Sequence, residues 1–592
     1  MLLVIIRTKH PVDREHSPTG NLFDQQVGKN RQPSITIFWR VPVARFQRLM
    51  IAPIFVLLAT YSFAQTTDFW ITQNGAGSAN GSNLSNAASC GGSGQSTCAA
   101  FNNSSNWGSG SSQIGPGTTI HLSGTFTAAA NACNYLQFQA GGNSGNPITV
   151  HFESGAVLTA PTWGSGCGAI YSTGHSNITI DGGNSGSALA SSLSGGGTIQ
   201  ATANGTGLAY QVLGNGILLY SCSNCTVKNL IISNIYVHTC TLPVSNCTDE
   251  NGDPTGAIYI DGGSNVIVTN NIAHDMKWAI EDQFNNGDTN VQFYGNQVYN
   301  VDHGFVIATG GTGASFTYGY IYNNWYHDPQ SWDDVGNQNH HDGVHLWSFG
   351  TGNSLTHSYI YNNKFSGNFG NNMNSGIYQE ALGYNVSACD AWTFNNVVAP
   401  SAGEPSGNGM IGLGANGGVG CWHSINNTHL GFSASASNPG LNFNSTPGTA
   451  YNNIYSVVLQ ALAPDAAPVA SDYQDFFNLG SGGVSGGGAS LATWVSYCTA
   501  NYPGTIGCDA HSIFSNPNLS STFVPNNGSP VIAAGKNLYS ICNGQPNPGL
   551  GALCYDAAGT PRPSSGGWDQ GAFQHGGSAS LSPPTNLTAT VH

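Results

Sequence analysis

Charged side chains are scarce in this chain. Asp, Glu, Lys and Arg make up 7% of its 592 residues, where about 25% is usual for a soluble domain. Positive charge is scarcest. Eight of the 13 basic residues lie within the first 48 positions, and only Lys228, Lys277, Lys364, Lys536 and Arg562 follow. Beyond position 48 these five stand against 25 acids. A surface of that sign repels nucleic acid and anionic membranes, because phosphate binding needs clustered Lys and Arg. Long apolar runs are also missing. The one run of note, Leu49–Ala59, is too short to span a bilayer.

What is present instead is glycine, 80 residues of it, with aromatics at 10%. The aromatics exclude a disordered low-complexity chain. Small polar residues alternating with regularly spaced aliphatics and aromatics point to all-β structure with many turns. Arg45 and Arg48 precede the short apolar run, and Tyr61-Ser-Phe-Ala64 follows it with small residues where a signal peptidase reads. Residues 1–64 are therefore read as an extension plus signal peptide, and the protein as secreted or displayed on the cell surface. Its 14 cysteines all lie after that segment, as expected of a disulfide-bonded exported protein. Sequence neighbours suggest Cys90/Cys98, Cys133/Cys167, Cys240/Cys247, Cys389/Cys421, Cys498/Cys508 and Cys542/Cys554. Cys222 and Cys225 have the spacing of half a zinc site, with no second pair at ribbon spacing.

An internal repeat organises the rest. An apolar or aromatic residue one or two positions before Asn recurs at Val227-Lys-Asn229, Val268-Thr-Asn-Asn271, Tyr294-Gly-Asn296, Ile321-Tyr-Asn-Asn324, Ile360-Tyr-Asn-Asn363, Phe394-Asn-Asn396, Ile425-Asn-Asn427 and Tyr451-Asn-Asn453. Spacings of some 25 to 40 residues suit one solenoid coil with variable loops. Asn tolerates the left-handed backbone of a tight corner, and its amide can bond to the coils above and below. The expectation is that Asn271, Asn296, Asn324, Asn363, Asn396 and Asn427 occupy equivalent corners. A second strand follows each corner, opening at Gly256, Trp278, Gly304, Gly343, Gly376 and Gly409. The next residues, Ala257, Ala279, Phe305, Val344, Ile377 and Met410, are apolar and are assigned to one interior column.

With these motifs the chain resembles the bacterial right-handed parallel β-helix repeat family, which has the pectin-lyase-like fold. The resemblance includes Asn146-Pro-Ile-Thr-Val150, Ile178-Thr-Ile-Asp-Gly-Gly183 and the closing Trp568-Asp-Gln-Gly-Ala-Phe573. It implies a single-stranded all-β solenoid over 65–575. Residues 576–592 read as a linker and the first strand of a further module. The family contains polysaccharide lyases, glycoside hydrolases, epimerases and binding proteins. The chain has Asp302-His-Gly304 and His341-Asp-Gly343, but lacks the Asn-Thr-Asp and Arg-Ile-Lys motifs of polygalacturonase-like hydrolases.

Chemistry concentrates between Lys277 and Glu380. Stacked coils lie about 4.8 Å apart, so residues distant in sequence become neighbours. Carboxylates at one or two coil steps bracket the separations used in glycoside hydrolysis. Asp302, Asp342 and Glu380 are the candidate acid, base or nucleophile, with His303, His341 and His345 orienting or protonating. Lys277, Glu281, Trp347, Tyr378 and Gln379 are candidate substrate contacts. Along a strand His341 and His345 would be about 13 Å apart, too far to share an ion. His303 with Asp342, across coils, is the better acid–base pair. The leading expectation is a glycoside hydrolase acting as a monomer on an extracellular polysaccharide, with no required cofactor. Two alternatives remain. One is a Ca²⁺-assisted polysaccharide lyase with Lys277 as base and Asp282 and Asp302 on the metal. The other is a non-catalytic glycan-binding adhesin. For most of these residues the plainer reading is a solvated polar column.

Overall fold

At each corner the asparagines divide the work. The first of each pair takes the left-handed backbone, with φ of +53° at Asn270 and Asn323, +56° at Asn362 and Asn395, and +54° at Asn426; Gly295 does the same at +68°. Most L residues enter that region only at a cost. The second asparagine turns inward and is buried. Its Oδ1 accepts from the main-chain N–H of the corner before it. Asn296 accepts from Asn271, Asn324 from Asn296, and Asn363 from Asn324, each at 3.0 Å. Asn396 accepts from Asn363 at 3.0 Å and Asn427 from Asn396 at 2.9 Å. The amide nitrogens donate to strand carbonyls, as Asn324 does to Phe293 at 2.9 Å. The six expected corners are thus one ladder, and it continues to Asn453 and Gln474.

These corners join the strands of a right-handed parallel β-helix. The computed structural model describes residues 66–577 apart from 204–211, 213, 236–255, 331–340, 349–351, 371–372, 382–386, 404–408, 416–418, 434–438, 444–447, 465–469, 485–489 and 502–505. The strands pair in parallel in a 14-stranded and a 21-stranded sheet. A representative coil runs Asp288–Tyr294, then the Asn296 corner, then the long strand Gln297–Thr309. The next coil repeats this with Ser315–Tyr322, Trp325–His327 and Asp342–Ser348. Val, Ile and Phe from all faces fill one continuous core, as expected for a parallel sheet with little room for polar groups on its inner side.

The interior column differs from the sequence alignment. Trp278 pairs with His303, not Gly304, so Ile280 pairs with Phe305. Ile377 likewise pairs with Ile411, not Met410. The true column is Ile258, Ile280, Phe305, Val344, Ile377 and Ile411. All six expected members are buried in the core, but Ala257, Ala279 and Met410 stand one register position from this column. Alignment on the leading residue failed because Gly256, Trp278 and Gly409 stand in register with His303 and Ser375, one position before Gly304 and Gly376.

The last sheet strand among the described residues is Asp475–Phe477. Single bridges from Ala470 to Ile506 and Asp475 to Ile513 carry the stack one step further. The closing segment then folds back along the coils. The amides of Asn395, Asn426 and Asn452 donate to the carbonyls of Tyr555, Asp569 and Lys536, each at 2.9 Å. Buried Arg562 donates to Asn395 Oδ1 at 2.8 Å.

Disulfides join Cys90–Cys98, Cys133–Cys167, Cys498–Cys508 and Cys542–Cys554, as expected. Cys222 and Cys225 form a fifth, which removes them from any zinc site. Cys240 and Cys247 lie outside the described residues, as do the signal segment and the start of the further module. No helix among the described residues is long and apolar enough to cross a membrane.

Candidate active site

The glycines that open the second strand of each coil allow a close approach. A Cβ on Gly304 would lie 2.7 Å from the Tyr326 ring, and one on Gly343 2.6 Å from the Phe365 ring. Either side chain would clash with the core. Residues on both sides of these glycines meet in one cluster. Asp302, His303, His341 and Asp342 come from before the glycines, and His345, Trp347, Tyr378 and Glu380 from the strands after them.

The cluster has two halves. In the first, His303 Nδ1 bonds Asp302 Oδ1 at 2.6 Å, and His341 Nε2 lies 3.6 Å from Asp302 Oδ2. The Tyr326 hydroxyl donates to the main-chain carbonyl of Asp302 at 3.1 Å and fixes that bend. In the second half His345 sits between two carboxyls. Its Nδ1 is 3.7 Å from Asp342 Oδ2 and its Nε2 is 3.3 Å from Glu380 Oε2. The halves join where the His303 and His345 rings stack at 5.6 Å.

Aromatic rings enclose this group. Trp347 and Tyr378 lie 4.5 and 5.3 Å from the His345 ring. Trp278, which the sequence reading passed over as a stand-in for a leading glycine, packs 4.5 Å from His303 and 6.0 Å from Trp347. Only the register reveals it, since Trp278 stands where the next coils carry His303 and then Asp342.

These groups are buried, not a solvated polar column. Asp302 and Asp342 are 0% exposed, Glu380 4% and His345 7%. Burial, with Glu380 and Asp302 nearby, pushes the Asp342 carboxyl well above its ordinary range; His341 and the Ser375 amide oppose that rise. Burial also raises the Tyr378 hydroxyl, with Glu380 and Asp342 adding to the effect.

Several expected members point elsewhere. Gln379 pairs with Leu346 and Leu413 in an inward column. Its side chain spans the core, donating to Thr393 Oγ1 at 2.6 Å and accepting from Ser358 Oγ at 3.3 Å. It therefore does not line a substrate surface. Asp282 pairs with Ile260 and Ile307, so it also faces inward. Burial raises its carboxyl well above the ordinary range, and Asp288 adds to this. The proposed Ca²⁺ pair fails on the same register. Asp282 lies opposite Ile307, five residues along the strand from Asp302, or roughly 16 Å. Glu281 faces outward, two coils below His345 with Val306 between them. Burial raises its carboxyl, while the Gln283 amide and Lys277 oppose the rise. Lys277 lies with its Nζ 5.9 Å from the Trp278 ring, opposite Asp302 rather than His303, as the flanking pairs show.

The groups that could hold a metal are His303, Asp342 and His345. One ligand atom from each lies within 4.8 Å of the others. They are not the acids expected from sequence.

No family model and no curated protein sequence matches the chain. Among solved structures it is similar to the pectate lyase Pel9A, at 16% identity and a TM-score of 0.41, covering 86% of this chain and 100% of that one. An exopolygalacturonase from Thermotoga maritima gives 9% identity and a TM-score of 0.28, covering 58% of this chain and 80% of that one. The GH136 lacto-N-biosidase from Eubacterium ramulus gives 11% identity and a TM-score of 0.33, covering 67% and 64%. Parallel strands throughout, repeated coils and the buried asparagine ladder decide the architecture. The chain is a right-handed parallel β-helix. A β-helix of this kind hosts many chemistries, so activity is read from the cluster itself.

Proposed function

We propose that the protein is a secreted enzyme that hydrolyses glycosidic bonds in an extracellular polysaccharide. The observation that carries this reading is the placement of Asp342 and Glu380 on opposite nitrogens of His345. One imidazole and two contacts separate the carboxyls, on the order of 9 Å at most, which is within the span over which paired carboxyls act on a glycosidic bond. Burial shifts the Asp342 carboxyl upward, the direction required of a group that donates to the leaving oxygen. Glu380 takes the role of base or nucleophile. His345 fixes the distance between them, and Trp347 covers the His345 ring at 4.5 Å. Asp302 orients His303 at the edge of the site.

Elimination from a uronate, with Lys277 as base, has less support because Asp282 and Asp302 do not meet. A purely adhesive role leaves unexplained why six titratable groups are gathered under aromatic rings. A panel of polysaccharides tests the reading. New reducing ends without an ultraviolet-absorbing unsaturated product are expected. Unsaturated product would mean elimination, and binding without cleavage would mean an adhesin. Asp342→Asn and Glu380→Gln keep the side-chain shape and remove the ionisable group. Each is expected to lower turnover on the order of a hundredfold or more with an unchanged circular dichroism spectrum.

A further inference from the structure

A hydrogen bond at one nitrogen of an imidazole decides what the other nitrogen can do. In this cluster two imidazoles are held in that way by different carboxylates. Asp302 Oδ1 takes the Nδ1 side of His303 at 2.6 Å, which leaves Nε2 as the nitrogen with a lone pair. Glu380 Oε2 takes the Nε2 side of His345 at 3.3 Å, which leaves Nδ1 on the side of Asp342. Carboxylates placed behind imidazoles in this manner set the tautomer and raise the basicity of metal-ligating histidines.

We propose that His303, Asp342 and His345 form a binding site for a divalent transition-metal ion of the zinc class. The three donors come from adjacent coils, and their ligand atoms lie within 4.8 Å of one another. A tetrahedral zinc with bonds of about 2.0–2.2 Å holds its ligands roughly 3.4 Å apart, so small side-chain rotations close the sphere. Two imidazole nitrogens and one carboxylate suit zinc. They do not suit calcium, which takes six to eight oxygens. The site is also separate from the acids that sequence reasoning assigned to a metal. His341 and His345 lie on one strand, whereas His303 and His345 are brought face to face by stacking of the coils.

This site rests in one respect on the hydrolase reading. An Asp342 oxygen that coordinates zinc cannot also reach a leaving oxygen, so occupancy and the acid role of Asp342 exclude each other. The ion therefore acts as an off switch, not as a cofactor of the proposed reaction.

The full-length secreted protein, dialysed against a chelator, is titrated with zinc chloride by calorimetry, and bound zinc is counted by mass spectrometry. One zinc per chain and a raised thermal midpoint are expected. His303→Ala and His345→Ala should each weaken binding at least tenfold, while Glu281→Gln, two coils away, should not. His303→Gln provides a closer fit if the alanine variant does not fold. Failure of the wild type to retain zinc overturns the site, as does equal binding by folded His303 and His345 variants. On any polysaccharide that the metal-free protein cleaves, turnover should fall in step with zinc occupancy. A rise in turnover on adding zinc would overturn the exclusion. Zinc binding by a protein that cleaves nothing would leave the site standing and remove the hydrolase reading.

Discussion

Asp475 shows what a buried carboxyl does to pH dependence in this fold. It is 0% exposed, and burial pushes its carboxyl up to about 8 against the opposing Ser515 amide. Folded, it keeps its proton at neutral pH; unfolded, it ionises near 3.9. The stability this gives is complete below about pH 4 and is lost as pH rises through about 8. Across that window the slope is at most about 1.4 kcal/mol per pH unit. Asp475→Asn removes it, so urea midpoints measured from pH 4 to 8 should decline less in the variant. Asp282 obeys the same sign, and Asp282→Asn should likewise flatten the profile while leaving turnover intact. The residue types of the active cluster were legible in sequence, since acids, histidines and Trp347 crowd into one stretch of chain. Their directions were not. Gln379 and Asp282 alternate with outward residues, and one position decides whether a side chain meets substrate or the Thr393 hydroxyl.

At the scale of strands and corners, register is the quantity that sequence leaves open. The Asn corners were legible because one residue type meets two demands, a left-handed turn and a buried amide ladder. The strand that follows offers only an apolar residue after a small one, a pattern that tolerates a slip. A slip of one residue moves every side chain to the other face, and alignment of Trp278 with Gly304 makes that slip, since Trp278 pairs with His303 and Lys277 lies opposite Asp302. The ladder itself makes a sharper test. Asn363 accepts from Asn324 N at 3.0 Å, and its Nδ2 donates to Ile321 O at 2.8 Å and Asn396 Oδ1 at 3.0 Å. Asn363→Ala leaves several buried groups without partners, at about 1–3 kcal/mol each. A loss of roughly 3–5 kcal/mol is expected from denaturant unfolding, far more than for an exposed Asn→Ala change.

For the whole molecule, the coils form a quasi-one-dimensional stack in which each touches only its neighbours. The closing segment is the exception. Asn395 bonds to Tyr555, Asn426 to Asp569 and Asn452 to Lys536. Arg562 is buried against Trp568, 5.2 Å from its ring. Arg562→Ala removes the donor to Asn395 and opens a cavity at that point. Hydrogen exchange should then speed up at the corner amides near Asn395 and Asn426, while coils before Asn271 stay protected. Uniform loss of protection would mean that the stack unfolds as one unit. The arrangement also orders events in time. A ribosome delivers Asn395 160 residues before the carbonyl of Tyr555 that receives its amide. The coils can wind as they emerge, but the closing segment reaches these corners only when nearly the whole described chain has been made. A chain cut short before Lys536 would thus keep its coils while the Asn395 and Asn426 amides lose the carbonyls of Tyr555 and Asp569, a chemical record of its own incompleteness that a protease could read.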